Sequence, residues 1–220
     1  MINIVTDYNV NIPTSLCSIM EKYGSDKGQS SHLGVNHHNY TIYYDAIFKN
    51  HKDNSMRIFE LGIGTNNINL PSNMGINGKP GSSLRGWKEY FHNSYIYGAD
   101  IDTDILFEED RIKTYYCDQL NPDIIKNMWQ HKDLEGEFDI IIEDGLHNFE
   151  ANKCFFENSF NKLKKGGVYI IEDIIINQLD RYKIQLDEWK NIYAISNFNI
   201  IILPFQNNQY DNCLIAIIKK

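Results

Sequence analysis

Two apolar runs of this chain each end in acids. The stretch FDIIIEDGLHNFE, residues 138–150, closes on Glu143, Asp144 and Gly145, with His147 two residues on; GGVYIIEDI, residues 166–174, closes on Glu172 and Asp173. Like charges repel, so packing alone gives no reason to gather Asp144, Glu172 and Asp173 at neighbouring strand ends. A divalent cation would remove the repulsion, and an all-oxygen donor set selects Mg2+, Mn2+ or Ca2+ over zinc. Such a cation acidifies an oxygen acid bound to it, and a histidine with a pKa of about 6.5 is matched to take the proton released. His147, three residues past Asp144, is the candidate base. Plainer readings stay open: a strand-end carboxylate can cap the next helix, and His147 can be structural. Strand alternation points Glu143 away from Asp144.

A second constellation lies earlier. ELGIGT, residues 60–65, ends an apolar run in Gly62 and Gly64, where the lack of side chains lets backbone N–H groups approach a ligand. One strand–helix unit later, YIYGADID places Asp100 at a strand end, where an acid can accept both hydroxyls of a ribose. There is no third glycine for a pyrophosphate, and Glu60 suits a cationic cofactor. Both details favour S-adenosylmethionine (SAM) over a dinucleotide. Asp118 and Gln119, after the following strand, are candidates for the adenine amine. A ligand-free glycine turn is the alternative.

The elements that must position these residues can be read from periodicity. Helical spacing covers residues 14–23 and 40–50, joined by the Gly/Ser/His-rich loop GSDKGQSSHLGVNHHNY, long enough to suggest a role of its own. Strands are expected within 56–64, where the run ends in a glycine turn, and at 94–102, 111–119, 138–145 and 168–174. Helices are expected at 83–91 and 122–132, the second with Pro122 in its first turn, and over 148–165 with a glycine stop. FNIIILPF and NCLIAIIKK read as a terminal hairpin, so one of these two strands must run antiparallel to its neighbour. Alternating strands and helices give an α/β fold: a doubly wound, mostly parallel seven-stranded sheet of Rossmann-like type with a C-terminal antiparallel hairpin. Residues 1–50 are read as an N-terminal helical extension with a lid-like loop, and 51–220 as the SAM-binding domain.

The chain of 220 residues carries a formal net charge of −8, which argues against nucleic acid as its main partner. Its four cysteines show no C-x-x-C pairing and read as reduced thiols. No signal peptide, membrane span or lipidation motif is visible, so a cytoplasmic location is expected.

Taken together, FELGIG, SLRGWKEYF, IYGADID, FDIIIEDGLHNFE and LKKGGVYIIEDI resemble the class I SAM-dependent methyltransferases of the mycinamicin-type macrolide O-methyltransferase family. EKYGSDKG and HHNYTIYYDAIF are similar to that family's N-terminal signature. The resemblance spans roughly residues 20 to 175. It implies methylation of a hydroxyl on a sugar or sugar conjugate, in natural-product or surface-polysaccharide (capsule) biosynthesis. It implies Asp144, Glu172 and Asp173 as Mg2+ (or Mn2+) ligands, His147 as general base, and SAM held by Glu60, Gly62, Asp100 and the residues after the third strand. It also implies lid or substrate contacts for Asp26, Lys27, His38 and Tyr40. Where the family has Asp-Asp-Gly-Ser-His, this chain has Glu-Asp-Gly-Leu-His, with Leu146 in place of the serine. The relatives' N-terminal oligomerisation region exceeds the length available here, so their quaternary arrangement is not expected to carry over; a homo-oligomer stays open. Two rivals remain: SAM-dependent methylation of an amine or phosphoryl-type acceptor, for which Lys27 and Arg85 are the candidate anion ligands, and a non-catalytic SAM-binding module.

Overall fold

A computed structural model describes residues 2–5, 8–28, 38–205 and 208–220. Its eight-stranded sheet is built from β1 (Arg57–Leu61), β2 (Tyr95–Asp100), β3 (Glu108–Glu109), β4 (Ile112–Tyr116), β5 (Phe138–Glu143), β6 (Leu163–Ile171), β7 (Ile195–Ile202) and β8 (Cys213–Lys219), in the spatial order β3-β4-β2-β1-β5-β6-β8-β7. The run from β4 to β6 is parallel, and β8 is antiparallel to both β6 and β7. The order reverses between β1 and β5, the switch point at which open α/β sheets leave a crevice beyond the strands' carboxyl ends.

Helices cover both faces, and strand alternation decides which residues each face receives. On one face Ile58, Ile96, Ile140, Ile142, Val168 and Ile170 pack with α1 (Ser15–Tyr23), α2 (Tyr40–Phe48) and α3 (Ser82–Tyr90), through Leu16, Met20, Tyr44, Leu84 and Trp87. On the other, Phe59, Leu61, Ile141, Tyr169 and Ile171 meet α4 (Pro122–Met128), α5 (Phe149–Ser159) and α6 (Leu179–Ile192), through Ile125, Phe155, Phe156 and Trp189. Each such large side chain, fully buried, contributes about 1.5–3 kcal/mol of transfer free energy. α1 is closed by Gly24 in the left-handed conformation (φ 84°), and α4 is opened by Pro122 behind the Asn121 cap.

The architecture is the one the sequence leads us to expect, with two local differences. The eighth strand is β3, two exposed glutamates antiparallel to β4. The helix expected to run on to a glycine stop ends at Ser159; a 3-10 turn follows, and Leu163 already pairs with Phe138. The pair LKKGG therefore opens β6 through an irregular register, with Gly167 lying where a Cβ would come within 2.8 Å of the Asp139 carbonyl oxygen.

Candidate active site

The carboxyl ends of β1, β2, β4, β5 and β6 open into a cavity of about 800 Å3. At one end lie Gly62, Gly64, Asp100, Asp118 and Gln119; at the other lie Asp26, Lys27, His38, Asp144, His147, Glu172 and Asp173. Twelve of the residues named from sequence thus line one space. Residues 29–37 of the loop expected to act as a lid lie outside the described residues.

The glycines earn their place by geometry. Gly62 and Gly64 both have φ 81°, and a Cβ on Gly62 would sit 1.9 Å from the Asp144 carbonyl oxygen. Gly62 is therefore required for β1 and β5 to close up at the switch point. Asp100 accepts from the N–H of Ile63 (2.9 Å) and of Asp102 (3.0 Å), which fixes its carboxylate at the cavity wall. Burial pushes its pKa up, against the pull of those N–H donors. Asp118 is half-buried and accepts from the Leu120 N–H at 3.0 Å.

Glu60 and Gln119 are placed differently from the other four cofactor candidates. Glu60 is fully buried, with its oxygens taken by Ser83 Oγ (2.6 Å) and Trp87 Nε1, so it fastens α3 to the sheet. Gln119 lines the cavity, but its Nε2 donates to Glu143 Oε1 and its Oε1 accepts from the Leu146 N–H at 2.8 Å.

Lys27, only 2% exposed, organises the other end. Its ammonium donates to Asp144 Oδ2 at 2.5 Å and to Glu172 Oε2, and lies 3.6 Å from Glu60 Oε1. Burial alone would lower the lysine's pKa, but Asp144, Glu172 and Glu60 outweigh it and hold the amine charged. Burial likewise opposes ionisation of Asp144, yet Lys27 and His147 drive its carboxyl well below the usual range. Glu172 is left with the surplus: burial and the neighbouring acids push it up. Its other oxygen accepts from Tyr44 OH. Asp173 accepts from Tyr40 OH at 2.7 Å, and its N–H donates back to that hydroxyl at 3.2 Å. His38 stacks on Tyr40, with ring centroids 4.5 Å apart, and brings Nε2 within 3.3 Å of Asp173 Oδ1.

His147 Nε2 bridges Asp144 Oδ1 (3.1 Å) and Asp173 Oδ2 (3.2 Å). Burial would lower its pKa, but these carboxylates and Glu143 raise it to about 10. The imidazole is therefore charged at neutral pH as long as both carboxylates keep their full charge. His147 and Asp173 both adopt the left-handed region (φ 55° and 54°), strained backbone of the kind concentrated at functional sites.

Asp144 and Asp173 bring carboxylate oxygens within 4.8 Å of each other and of a ring nitrogen of His147, so the two acids fit a divalent cation held beside the imidazole. Of the three expected ligands, Asp144 and Asp173 converge, whereas Glu172 is turned to Lys27 and Tyr44. Tyr44 was not singled out from the sequence. Its signal is the four-residue spacing from Tyr40, which puts both hydroxyls on one face of α2.

No family model matches the chain. It is 36% identical over 137 residues to the demethylmacrocin O-methyltransferase of Streptomyces fradiae, covering 62% of this chain and 32% of that one. It is 31% identical over 159 residues to the 8-demethyl-8-alpha-L-rhamnosyl tetracenomycin-C 2'-O-methyltransferase of Streptomyces olivaceus, covering 72% and 37%. The chain spans between 32% and 40% of the length of the curated relatives it matches. Among solved structures, MycE methyltransferase of the mycinamycin pathway, in complex with Mg and SAH, superposes with a TM-score of 0.69 at 22% identity, covering 94% of this chain and 55% of that one. The resemblance read from the motifs is thus borne out in its relatives, and the fold is the Rossmann-like fold of class I SAM-dependent methyltransferases.

Proposed function

We propose that this chain is a SAM-dependent O-methyltransferase acting on a hydroxyl of a sugar or sugar conjugate, in the biosynthesis of a natural product or surface polysaccharide. The observation that carries the proposal is the shared cavity, with a ribose-type acid at one end and the Asp144–His147–Asp173 cluster at the other. The relatives named above are O-methyltransferases, one of them of an alpha-L-rhamnosyl tetracenomycin, and MycE was solved with Mg and SAH.

In the proposed reaction the methyl group of SAM passes to the acceptor oxygen, leaving S-adenosylhomocysteine (SAH), and the hydroxyl proton must be removed. Asp100 and Asp118 would hold the nucleoside end. Asp144 and Asp173 would hold a divalent cation, with Glu172 as a third ligand should it exchange its bond from Lys27. When bound, the cation would acidify the acceptor hydroxyl and discharge the carboxylates that keep His147 protonated. His147 Nε2, once neutral, accepts the hydroxyl proton. The cavity walls align donor and acceptor, which supplies much of the rate.

An anionic acceptor finds no support. Lys27 is enclosed by carboxylates and Arg85 is paired with Glu109 at 2.7 Å. Among the described residues no helix is long and apolar enough to cross a membrane. The four cysteines are free thiols, which supports a cytoplasmic setting.

Calorimetric titration of SAH, with and without Mg2+, into wild type and Asp144→Ala tests the reading. We expect SAH to bind both proteins and the Mg2+ response to vanish in the variant. Absence of SAH binding to wild type would remove the methyltransferase assignment.

A further inference from the structure

We propose that Gln119 is a positioning residue: its side-chain amide brackets the loop that carries Asp144 and His147, instead of binding the adenine. Both ends of the amide are committed within the protein. Nε2 donates to Glu143 Oε1, the residue before Asp144, and Oε1 accepts from the Leu146 N–H, the residue before His147. Glu143 Oε1 also accepts the Gly145 N–H at 3.3 Å. One side chain from the end of β4 thus holds the two residues that flank the 144–147 turn. The fit is close: a Cβ on Gly145 would lie 2.2 Å from Gln119 Oε1, so only glycine lets the amide seat against this turn.

The bracket answers a specific need. His147 holds a left-handed backbone (φ 55°) and bridges two carboxylates 3.1 and 3.2 Å away. Such a conformation persists only where neighbouring contacts over-determine it. The Asn148 cap on the Ala151 N–H (2.9 Å) fixes the chain just after the histidine, and Gln119 fixes it just before. Gln119 is 6% exposed and follows Asp118 of the cavity's nucleoside end, so the wall that would meet the cofactor also tensions the base loop.

The bond pattern specifies its own rescue. In Gln119→Glu two carboxylates face each other and the bond to Glu143 is lost. Adding Glu143→Gln restores it with the polarity reversed, because Gln at 143 can donate to Glu at 119, whose other oxygen still accepts the Leu146 N–H; the weaker Gly145 contact at 3.3 Å, which shares Glu143 Oε1, is given up. The test is amide hydrogen exchange by NMR at neutral pH on wild type, Gln119→Leu, Gln119→Glu and the swapped double variant, with SAH titrated calorimetrically and Mn2+ binding followed by electron paramagnetic resonance. We expect the Leu146 amide to exchange about tenfold faster in Gln119→Leu, which removes its acceptor, faster to a smaller extent in Gln119→Glu, where repulsion from Glu143 draws the acceptor away, and to recover in the swap. SAH affinity should stay within about twofold in Gln119→Leu while Mn2+ binding weakens several-fold. A fall in SAH affinity of more than about tenfold in Gln119→Leu would assign the amide to the cofactor and overturn the bracket. So would unchanged Leu146 exchange in Gln119→Leu, or a swap that fails to fold or to recover protection. The exchange arm does not depend on the proposed methyltransferase activity: wild type that binds neither SAH nor Mn2+ would end that reading and leave the bracket to be decided by exchange alone.

Discussion

At the residue scale the site concentrates charge where burial opposes it, and two side chains show the consequence. Replacing His147 by Ala removes the imidazole that bridges Asp144 and Asp173. Methyl transfer should fall by about 10^2- to 10^4-fold, the usual worth of a positioned base, while SAH binding by calorimetry stays unchanged. Glu143 is fully buried, and burial raises its pKa to about 7 against the opposing pull of Gly145 N–H, His147 and Gln119. Its Oε2 has no partner among the described residues. A raised acid pKa means the folded state binds the proton more tightly than the unfolded one, so Glu143 subtracts stability as pH rises from about 4.5 through about 7. Glu143→Gln should therefore gain stability over wild type between pH 5 and pH 8, by up to roughly 3 kcal/mol. Denaturant melts at the two pH values check the sign; a pH-independent difference would refute it.

At the element scale the site depends on how closely strand ends approach. A Cβ at Gly62 would overlap the Asp144 carbonyl, and its φ of 81° is left-handed, so Gly62→Ala should cost at least about 1–3 kcal/mol and weaken SAH binding by displacing β5 from β1. Thermal melting with SAH titration measures both. The same strand ends explain what could be read from sequence. Period-two apolar runs and the acids that close them gave β1, β2, β4, β5 and β6 and put Asp100, Asp144 and Asp173 at one edge, because backbone direction alone carries those residues there. β3 escaped notice because Glu108 and Glu109 are exposed and have no apolar pattern. The roles of Glu60 and Gln119 were illegible for another reason. Whether a carboxylate or amide at a strand end faces a ligand or the protein depends on partners remote in sequence, here Ser83 and Trp87 for one and Glu143 and Leu146 for the other.

At the scale of the whole molecule, the segment after α1 and helix α2 are wired into the acidic strand edge as well as packed on the sheet. Lys27 meets Asp144, Glu172 and Glu60, and Tyr40 and Tyr44 reach Asp173 and Glu172. Lys27→Met would strand two buried acids, Glu60 and Glu172, and the half-buried Asp144 without their cation and should destabilise the fold by about 3–5 kcal/mol in metal-free buffer. Added Mg2+ should recover part of the loss in chemical denaturation, since a ligand bound only by the folded state stabilises it. Destabilisation below about 1 kcal/mol would show that Lys27 is peripheral. The same wiring sets a timetable for the chain as it is made. Lys27 and the acid it contacts are 145 residues apart, and Tyr40 is 133 residues from Asp173. At ribosomal rates of about 5–20 residues per second, the lysine and the tyrosines wait on the order of ten seconds or more before the last of their partners is synthesised. During that interval the apolar faces of the N-terminal helices lack Val168 and Ile170 of β6, and Lys27 lacks Glu172. Nascent chains halted before residue 172 should therefore be more open to proteases and chaperones along residues 15–28 and 38–48, and those segments should reach full protection only once β6 has emerged.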